Sequence, residues 1–282
     1  MKEIDKEEVY GTQPLMVFAA EKYYIKPVMK DGISHFYRFK RSKENADKVL
    51  VVPDGCVDIV FSLDENDCAK AFCYGSPLTL TDINYVPYLK ESREVFGVRL
   101  LPGNIIMPGG YSISDFTNNE VDFSKILGED DDLIEKICRC SDFAEQTRIF
   151  TTYYLEDYRK RVLEVKKNNL SSYIITEIIK SKGTMKIEEI SENTGYSTRY
   201  INKLFNETFG MSPKLFSKII RFQGVLKAIT QKQDLIDIAE DFGFCDQSHL
   251  NKEFKKFSGT SPKKFSETIN NEEYMKRLLI ME

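Results

Sequence analysis

The chain predicts an α+β, multidomain fold, with a β-rich amino-terminal part and an all-helical carboxy-terminal part. Three observations carry that reading. Residues 34–107 break into short runs of aromatic and β-branched residues punctuated by proline and glycine. After Gly110 those punctuators thin out and apolar residues recur every three or four positions. Residues 171–270 then hold two copies of one pattern, 48 or 49 positions apart. A length of 282 residues suits two domains.

The strand-like runs are 34–40, 48–53, 57–63, 71–74 and 95–101, with breaks at Pro53, Gly55, Gly75, Pro77, Pro87, Pro102 and Gly103. In the third run Val57, Ile59, Phe61 and Leu63 share a face, the period-2 signature of a strand with one buried side. Several short strands of this kind predict a barrel or a sandwich. Helical spacing follows at 123–127, 130–140 and 143–167. In the last, Phe143, Thr147, Phe150, Tyr154 and Tyr158 form an aromatic stripe, which serves either as core packing or as a subunit interface. On the second reading Phe143, Phe150, Tyr154 and Tyr158 form a homodimer surface. The polar stretch Lys166-Lys167-Asn168-Asn169 reads as a linker. The expected division is therefore 1–111 as a β-rich sensor or effector domain, 112–168 as a helical dimerisation and linker region, and 169–282 as a further domain.

Composition removes several function classes. Apolar residues make up 41% of the chain and charged residues 30%, a globular balance that argues against disorder. No apolar run reaches the roughly 18 residues that span a bilayer, and the start lacks a signal-peptide pattern. Cys56, Cys68, Cys73, Cys138, Cys140 and Cys245 show no Cys-x-x-Cys spacing, so they read as thiols in a reducing cytoplasm. His35 and His249 are the only histidines, too few for a histidine-rich metal centre. Phosphate-cradling motifs are missing from the sequence. The expectation is a non-enzyme with no cofactor and no metal. Residues 171–270 carry 15 basic and 12 acidic side chains, which leaves the rest of the −4 chain at −7. A mildly basic module on an acidic one is compatible with nucleic-acid binding.

The duplicated pattern carries the function. Its first copy runs Ile190-Ser191, Gly195-Tyr196, Ile201-Asn202-Lys203, Phe205, Gly210, Ser212-Pro213-Lys214, Phe216. The second runs Ile238-Ala239, Gly243-Phe244, Leu250-Asn251-Lys252, Phe254, Gly259, Ser261-Pro262-Lys263, Phe265. Each copy parses as a short helix, a glycine turn and a second helix capped, in the first copy, by Ser197 or Thr198. Ile201, Leu204, Phe205 and Phe209 form the inward face of that helix, and Arg199, Asn202, Lys203 and Asn206 the outward one. In the second copy Leu250, Phe254 and Phe257 point in, while Gln247, Ser248, Asn251, Lys252 and Lys255 point out. This is a helix-turn-helix plan, with outward side chains that read guanine and adenine edges in a major groove. Ser212-Pro213 and Ser261-Pro262 are serine caps with proline at the first helical position. A helix from Pro213 to about Gln231 would be roughly 28 Å long, comparable to the ~34 Å between successive major-groove faces.

Residues 171–266 resemble the DNA-binding domain of the AraC/XylS family of bacterial transcription regulators. The carriers are LIDIAEDFGFCDQSHLNKEFKKFSGTSPKKF from Leu235, KIEEISENTGYSTRYINKLFNETFGMSPKLF from Lys186, and Arg221-Phe222-Gln223 at the start of the long helix. The resemblance implies two helix-turn-helix units on a rigid connecting helix, reading two tandem major-groove half-sites of double-stranded DNA. Arg199, Asn202 and Lys203, with Thr198 and Asn206 beside them, would serve one groove. Gln247, Ser248, Asn251, Lys252 and Lys255 would serve the other. Ser266 stands where relatives often have arginine, and residues 267–282 extend past the usual end as an extra helix. The amino-terminal half is similar to a β-rich sensor domain of such regulators through Val52-Pro53-Asp54-Gly55-Cys56-Val57-Asp58-Ile59-Val60-Phe61 and Phe96-Gly97-Val98-Arg99-Leu100-Leu101-Pro102-Gly103. That implies a cupin-like barrel holding a small-molecule effector, with Phe61 and Phe96 as candidate lining residues. RNA polymerase joins the expected partners of an activator. Two other readings remain at this stage. In one, the β domain is only an oligomerisation or protein-interaction module. In the other, a DNA-repair enzyme is fused to the same DNA-binding unit.

Overall fold

The computed structural model describes residues 11, 13–42, 49–64, 66–83, 92–102, 111–127, 132–165 and 169–281. Lys48, Pro87, Gly103 and the expected linker at 166–168 lie outside the described residues, as does the side chain of Tyr158.

The amino-terminal half is built on one sheet. Strands β1 (Ala20–Lys30), β2 (Ile33–Arg41), β4 (Val57–Asp64), β5 (Ala69–Gly75), β7 (Ser92–Leu100), β8 (Glu120–Asp122) and β9 (Leu278–Ile280) run in the order β8-β5-β4-β7-β2-β1-β9. All neighbours are antiparallel except β1 and β9. Among the described residues the sheet is open, with β8 and β9 at its edges. A two-stranded sheet, β3 (Leu50–Val51) with β6 (Thr81–Asp82), accompanies it. β8 falls inside the 112–168 stretch whose spacing reads as helical.

Period-2 alternation sorts the main sheet into two faces. Phe36, Val57, Ile59, Phe61, Phe96 and Val98 share one buried cluster with the helices α3 (Leu133–Arg139) and α4 (Phe143–Val165). Tyr37, Phe39, Val60 and Val95, the alternate positions, belong to a second cluster. β4 is therefore buried on both sides, not on one as its alternation predicts. The second face is covered by residues distant in sequence, which the pattern within one strand does not reveal.

The aromatic stripe of α4 is consumed inside its own protomer. Phe150 stacks on Tyr154 at 5.7 Å and meets Phe36 and Phe61 edge-on at 6.0 Å. Phe143, half-buried, reaches Phe96 at 6.1 Å. Phe150 and Tyr154 are buried beneath the sheet and offer no surface for a partner. The described residues of the stripe pack as core, the first of the two readings their spacing allows, and Phe150 and Tyr154 are thereby taken from the dimer surface expected of them. A helix laid on a sheet of phenylalanines needs the same ring pattern that a dimer interface would.

The helical half contains α5 (Asn169–Lys180), α6 (Ile187–Thr194), α7 (Thr198–Phe209), α8 (Pro213–Thr230), α9 (Leu235–Asp241), α10 (Gln247–Ser258), α11 (Pro262–Ile269) and α12 (Glu272–Arg277). Ile174, Ile175, Ile178 and Ile179 of α5 join its core, one apolar stripe at helical spacing. This core is continuous with the second face of the sheet, so the halves share one buried cluster. The tail departs from the expected single helix. After α12 the chain turns into β9, which pairs in parallel with Tyr23, Tyr24 and Ile25 of β1. Tyr274 packs on Phe18 at 5.4 Å, Arg277 donates to the carbonyls of Phe18 and Ala20, and the amide of Met281 donates to the Ile25 carbonyl at 2.7 Å. Leu278-Leu279-Ile280 is too short to declare a strand by alternation, and only the open edge of β1 gives its backbone partners.

His35 sits on the cavity-side positions of β2, opposite Arg99 of β7, and is 5% exposed. Burial, reinforced by the charge of Arg99, lowers its pKa to about 3. The folded chain then refuses a proton that the unfolded chain accepts below about pH 6.5. The contribution of His35 to stability is complete above that pH and declines as pH falls toward 3. Between pH 7 and pH 5 the native chain should lose about 2 kcal/mol more than a His35→Gln variant, one proton over roughly 1.5 pH units. Urea unfolding of both chains at the two pH values measures this. Equal losses would mean that His35 is not held neutral.

Candidate nucleic-acid interface

Each helix-turn-helix is set by local chemistry that the repeat duplicates. α6 ends at Gly195, whose φ of +73° is the left-handed cap conformation. Ser197 then opens α7, its Oγ accepting from the amide of Tyr200 at 3.2 Å. In the second unit Asp234 caps α9 and Asp246 caps α10, accepting from the amides of Ile236 and His249 at 2.8 and 2.7 Å. Ser212 and Ser261 cap α8 and α11 just before Pro213 and Pro262. Of the two cap candidates in the first copy, the structure uses Ser197. Thr198 is the first residue of the helix.

The inward sets meet the core as spaced: Ile201, Phe205 and Phe209 in α7 and Leu250, Phe254 and Phe257 in α10 are buried, while Leu204 is half-buried. Arg199, Lys203 and Asn206 are exposed along α7, with Thr198 and Asn202 half-buried beside them. Gln247, Ser248, Lys252 and Lys255 are exposed along α10, with Asn251 half-buried. The amides of Asn202 and Asn206 donate back to the carbonyls of Thr198 and Asn202, each at 2.7 Å. Those side chains must rotate before they could make the two-bond contact by which asparagine reads adenine. Lys203 has an acid nearby after all, Glu207 at 3.8 Å, an exposed pair of little energetic weight. Glu253, by contrast, lies between Lys218 at 3.2 Å and Lys256, which leaves Lys252 and Lys255 as the forward cations of α10.

One feature of this face escaped the spacing argument. Tyr196 and Tyr200 stack at 5.2 Å and are each 47% exposed, beside the first turn of α7. Their repeat counterparts, Phe244 and His249, also touch, edge to face at 5.3 Å, but Phe244 is buried beneath the Arg221 guanidinium, 4.5 Å from its ring. The signal was present in the paired Gly-Tyr and Gly-Phe of the two copies.

The amino-terminal half touches both units. Thr117, just after α1 (Ile113–Phe116), donates its hydroxyl to the Phe209 carbonyl at 2.7 Å, at the end of α7. The cap glycines Gly210 and Gly259, φ +64° and +73°, are repeat equivalents, and both lie against the amino-terminal half. A Cβ at the first would stand 3.0 Å from Thr117 and one at the second 2.8 Å from Leu80. Between them, the buried Gln223 of α8 donates to the Pro53 carbonyl at 2.7 Å. Phe216 of α8 lies so close to Gly55 that a Cβ there would come within 2.7 Å of the ring.

Those amino-terminal segments border a cavity of about 470 Å³ on the second face of the sheet. Tyr37, Phe39, Asp58, Val60, Val95 and Arg99 contribute from the main sheet, Thr81 from β6, and Asp54, Ser76 and Asn118 from the surrounding loops. Phe61 and Phe96 do not line it. They point to the opposite, helix-covered face, one residue out of register with Val60 and Val95. At the cavity floor Arg99 is fully buried. Burial works to discharge it, but Asp58 and Asp54 outweigh that and hold its pKa well above the ordinary value. Among the described residues no cluster of histidine, cysteine and acid suited to a metal ion occurs, and no helix is long and apolar enough to cross a membrane.

A family model described as a helix-turn-helix domain matches residues 190–268, which span both units and the helix between them. The carboxy-terminal domain is of the AraC type. DNA-binding transcription regulation is the activity this AraC-type domain supplies. Residues 25–122 match a second family, described as a domain of unknown function. The chain is similar to the C-terminal domain of AraT, a response regulator from Geobacillus stearothermophilus (22% identity, 36% of this chain and 86% of that one, TM-score 0.34). It is similar to ToxT from Vibrio cholerae (13% identity, 84% and 97%, TM-score 0.41). A third similar structure is the DNA-binding domain of AdpA, a global transcriptional factor, in complex with a target DNA (16% identity, 35% and 91%, TM-score 0.33). No curated protein sequence matches the chain.

Asp246 is the residue on which the first turn of α10 depends. Asp246→Ala should cost about 1 kcal/mol of stability, the usual worth of a helix cap, read from denaturant unfolding. An unchanged midpoint would show that the cap is dispensable.

Proposed function

We propose that this chain is an effector-controlled transcription regulator, in which a sensor unit (1–111 with its extension 112–168) governs how the AraC-type unit (169–282) engages DNA. Thr198, Arg199, Asn202, Lys203 and Asn206 would face one major groove. Gln247, Ser248, Asn251, Lys252 and Lys255 would face the next. α8, about 27 Å long at 1.5 Å per residue, is the spacer between them. The observation that carries the control reading is the three-point seat of the DNA-binding unit. Loop 53–55 holds α8, Leu80 holds the end of α10, and Thr117 holds the end of α7. Each point is next to a cavity-lining residue: Asp54, Thr81 and Asn118 respectively. A molecule that fits the cavity better in one arrangement of these segments than in another would shift the position of both reading helices together. It could do so only by as much as it discriminates between the two arrangements.

Two measurements test the reading. Arg199→Ala should weaken binding about tenfold and relax base preference in one half of the site, while Lys255→Ala should lower affinity evenly and flatten the slope of log K against log salt by about one unit. Footprints on the protein's own promoter region, repeated across salt, separate the two behaviours, and a loss from Arg199→Ala shared equally by both halves would break the assignment of one helix to one groove. For control, promoter occupancy of the native chain should vary among growth media, whereas Val95→Phe, which fills the cavity, and Gln223→Leu, which removes the link to Pro53, should hold it constant. Occupancies of native and Val95→Phe chains that track each other in every medium would dispose of the effector.

A further inference from the structure

The cavity walls restrict the charge of what they can hold, an inference that rests on the effector reading above. Asp54, Asp58 and Glu120 line the cavity, and Arg99 is the one basic side chain among the described lining residues. Arg99 is not available to an anion. Its Nε and Nη2 grip both oxygens of Asp58 at 3.0 and 2.6 Å, and its Nη1 donates to the Gly11 carbonyl and lies 3.4 Å from Asp54 Oδ2. Two carboxylates thus bracket one guanidinium, both partners of the Arg99–Asp54 contact being 2% exposed, and Glu120 adds a further negative charge at the exposed rim.

An entering carboxylate or phosphate would meet this excess of negative charge with no unspent cation among the described lining residues, the costly case for a buried ion. A cation meets the reverse. Asp54 accepts from the amide of Cys56 and from Gln13 Nε2, each at 2.8 Å, and a third side is taken up by its ion pair with Arg99 at 3.4 Å. A carboxylate has about four acceptor sites, so one remains. The remaining wall includes the aromatic side chains Tyr37, Phe39 and Tyr74, whose ring faces attract cations. A volume of about 470 Å³ lies in the range of small-molecule sites. We propose that the effector is a small organic cation, a protonated amine or a quaternary ammonium carried on an apolar body.

The experiment uses the full chain and three matched series of 4 to 10 carbons, straight, alicyclic and aryl-substituted: ammonium ions, the corresponding neutral alcohols and the corresponding carboxylates (roughly the sizes such cavities hold). Thermal unfolding and calorimetry give the affinities. At least one ammonium should raise Tm by several degrees, with its alcohol weaker and its carboxylate inert. Its affinity should fall about tenfold in Asp54→Asn and severalfold in Glu120→Gln, and vanish in Val95→Phe. Glu120 is exposed, so Glu120→Gln keeps the test decisive should Asp54→Asn fail to fold. A carboxylate that matches or exceeds its ammonium, an ammonium series without any response, or a response unmoved by Glu120→Gln and Val95→Phe would each overturn the proposal. The effector reading itself is judged separately, by the promoter occupancy of Val95→Phe.

Discussion

The amino-terminal half is organised around a guanidinium that is almost entirely withdrawn from water. Arg99 is 2% exposed, and leaving such an ion without partners inside a protein costs several kcal/mol. Its partners therefore dictate local structure. Asp58 must lie directly across β4 from it, which the β4–β7 register provides, and Asp54 must be folded back over it by the turn through Gly55. That turn is in turn fixed by Ser76, whose hydroxyl accepts from the amides of both Asp54 and Gly55, at 3.0 and 2.9 Å. Gln13 completes the ring by bonding Val52 in both directions and Asp54 as well. A single buried charge thus determines the shape of loop 52–56, and with it the carbonyl of Pro53 that the helical half grips.

Sequence periodicity made the helical half legible nearly to the residue, because caps and αL glycines act through neighbours only a few positions away. Gly195, Ser197, Gly210, Ser212, Gly259 and Ser261 all do locally what their residue types favour. The β half was legible as strands and not as surfaces. Alternation in 57–63 separates two faces but cannot say which one borders a cavity, since both carry large apolar groups. Phe61 and Phe96 attract attention by size, whereas Val60, Val95 and Arg99 stand at the chemically distinctive site. β1 was missed because AEKYYIKPVMK mixes charges with a proline, and much of it is exposed. Its pairing with β2 and β9 settles a conformation that its own composition leaves open. The α4 stripe shows the same limit: a row of rings reveals that something covers it, and only the fold says whether the cover comes from the same chain.

The AraC-type unit is attached differently at its centre and at its ends. Gln223, near the middle of α8, and Phe216, in its first turn, are buried, so the link there is dry and sensitive to small displacements. At the two ends the contacts fall on cap glycines, where the backbone itself meets the neighbour with no side chain intervening. Steric contact with backbone transmits position without the slack of a long rotamer. The outward positions of α7 and α10 take no part in these attachments, so docking onto the amino-terminal half leaves their side chains exposed.

The pairing of β9 with β1 joins residues more than 250 positions apart. During synthesis the edge of β1 emerges from the ribosome early, and the three residues that cover it emerge only after every reading helix has been made. At 5–20 residues per second, that edge stays bare for roughly 10 to 50 seconds. An uncovered strand edge invites pairing with other chains. The charged residues Glu21, Lys22 and Lys26 on β1 stand where a nascent chain needs a deterrent against its neighbours, so the same lysines and glutamate that obscure the strand in the sequence protect it until its own tail arrives.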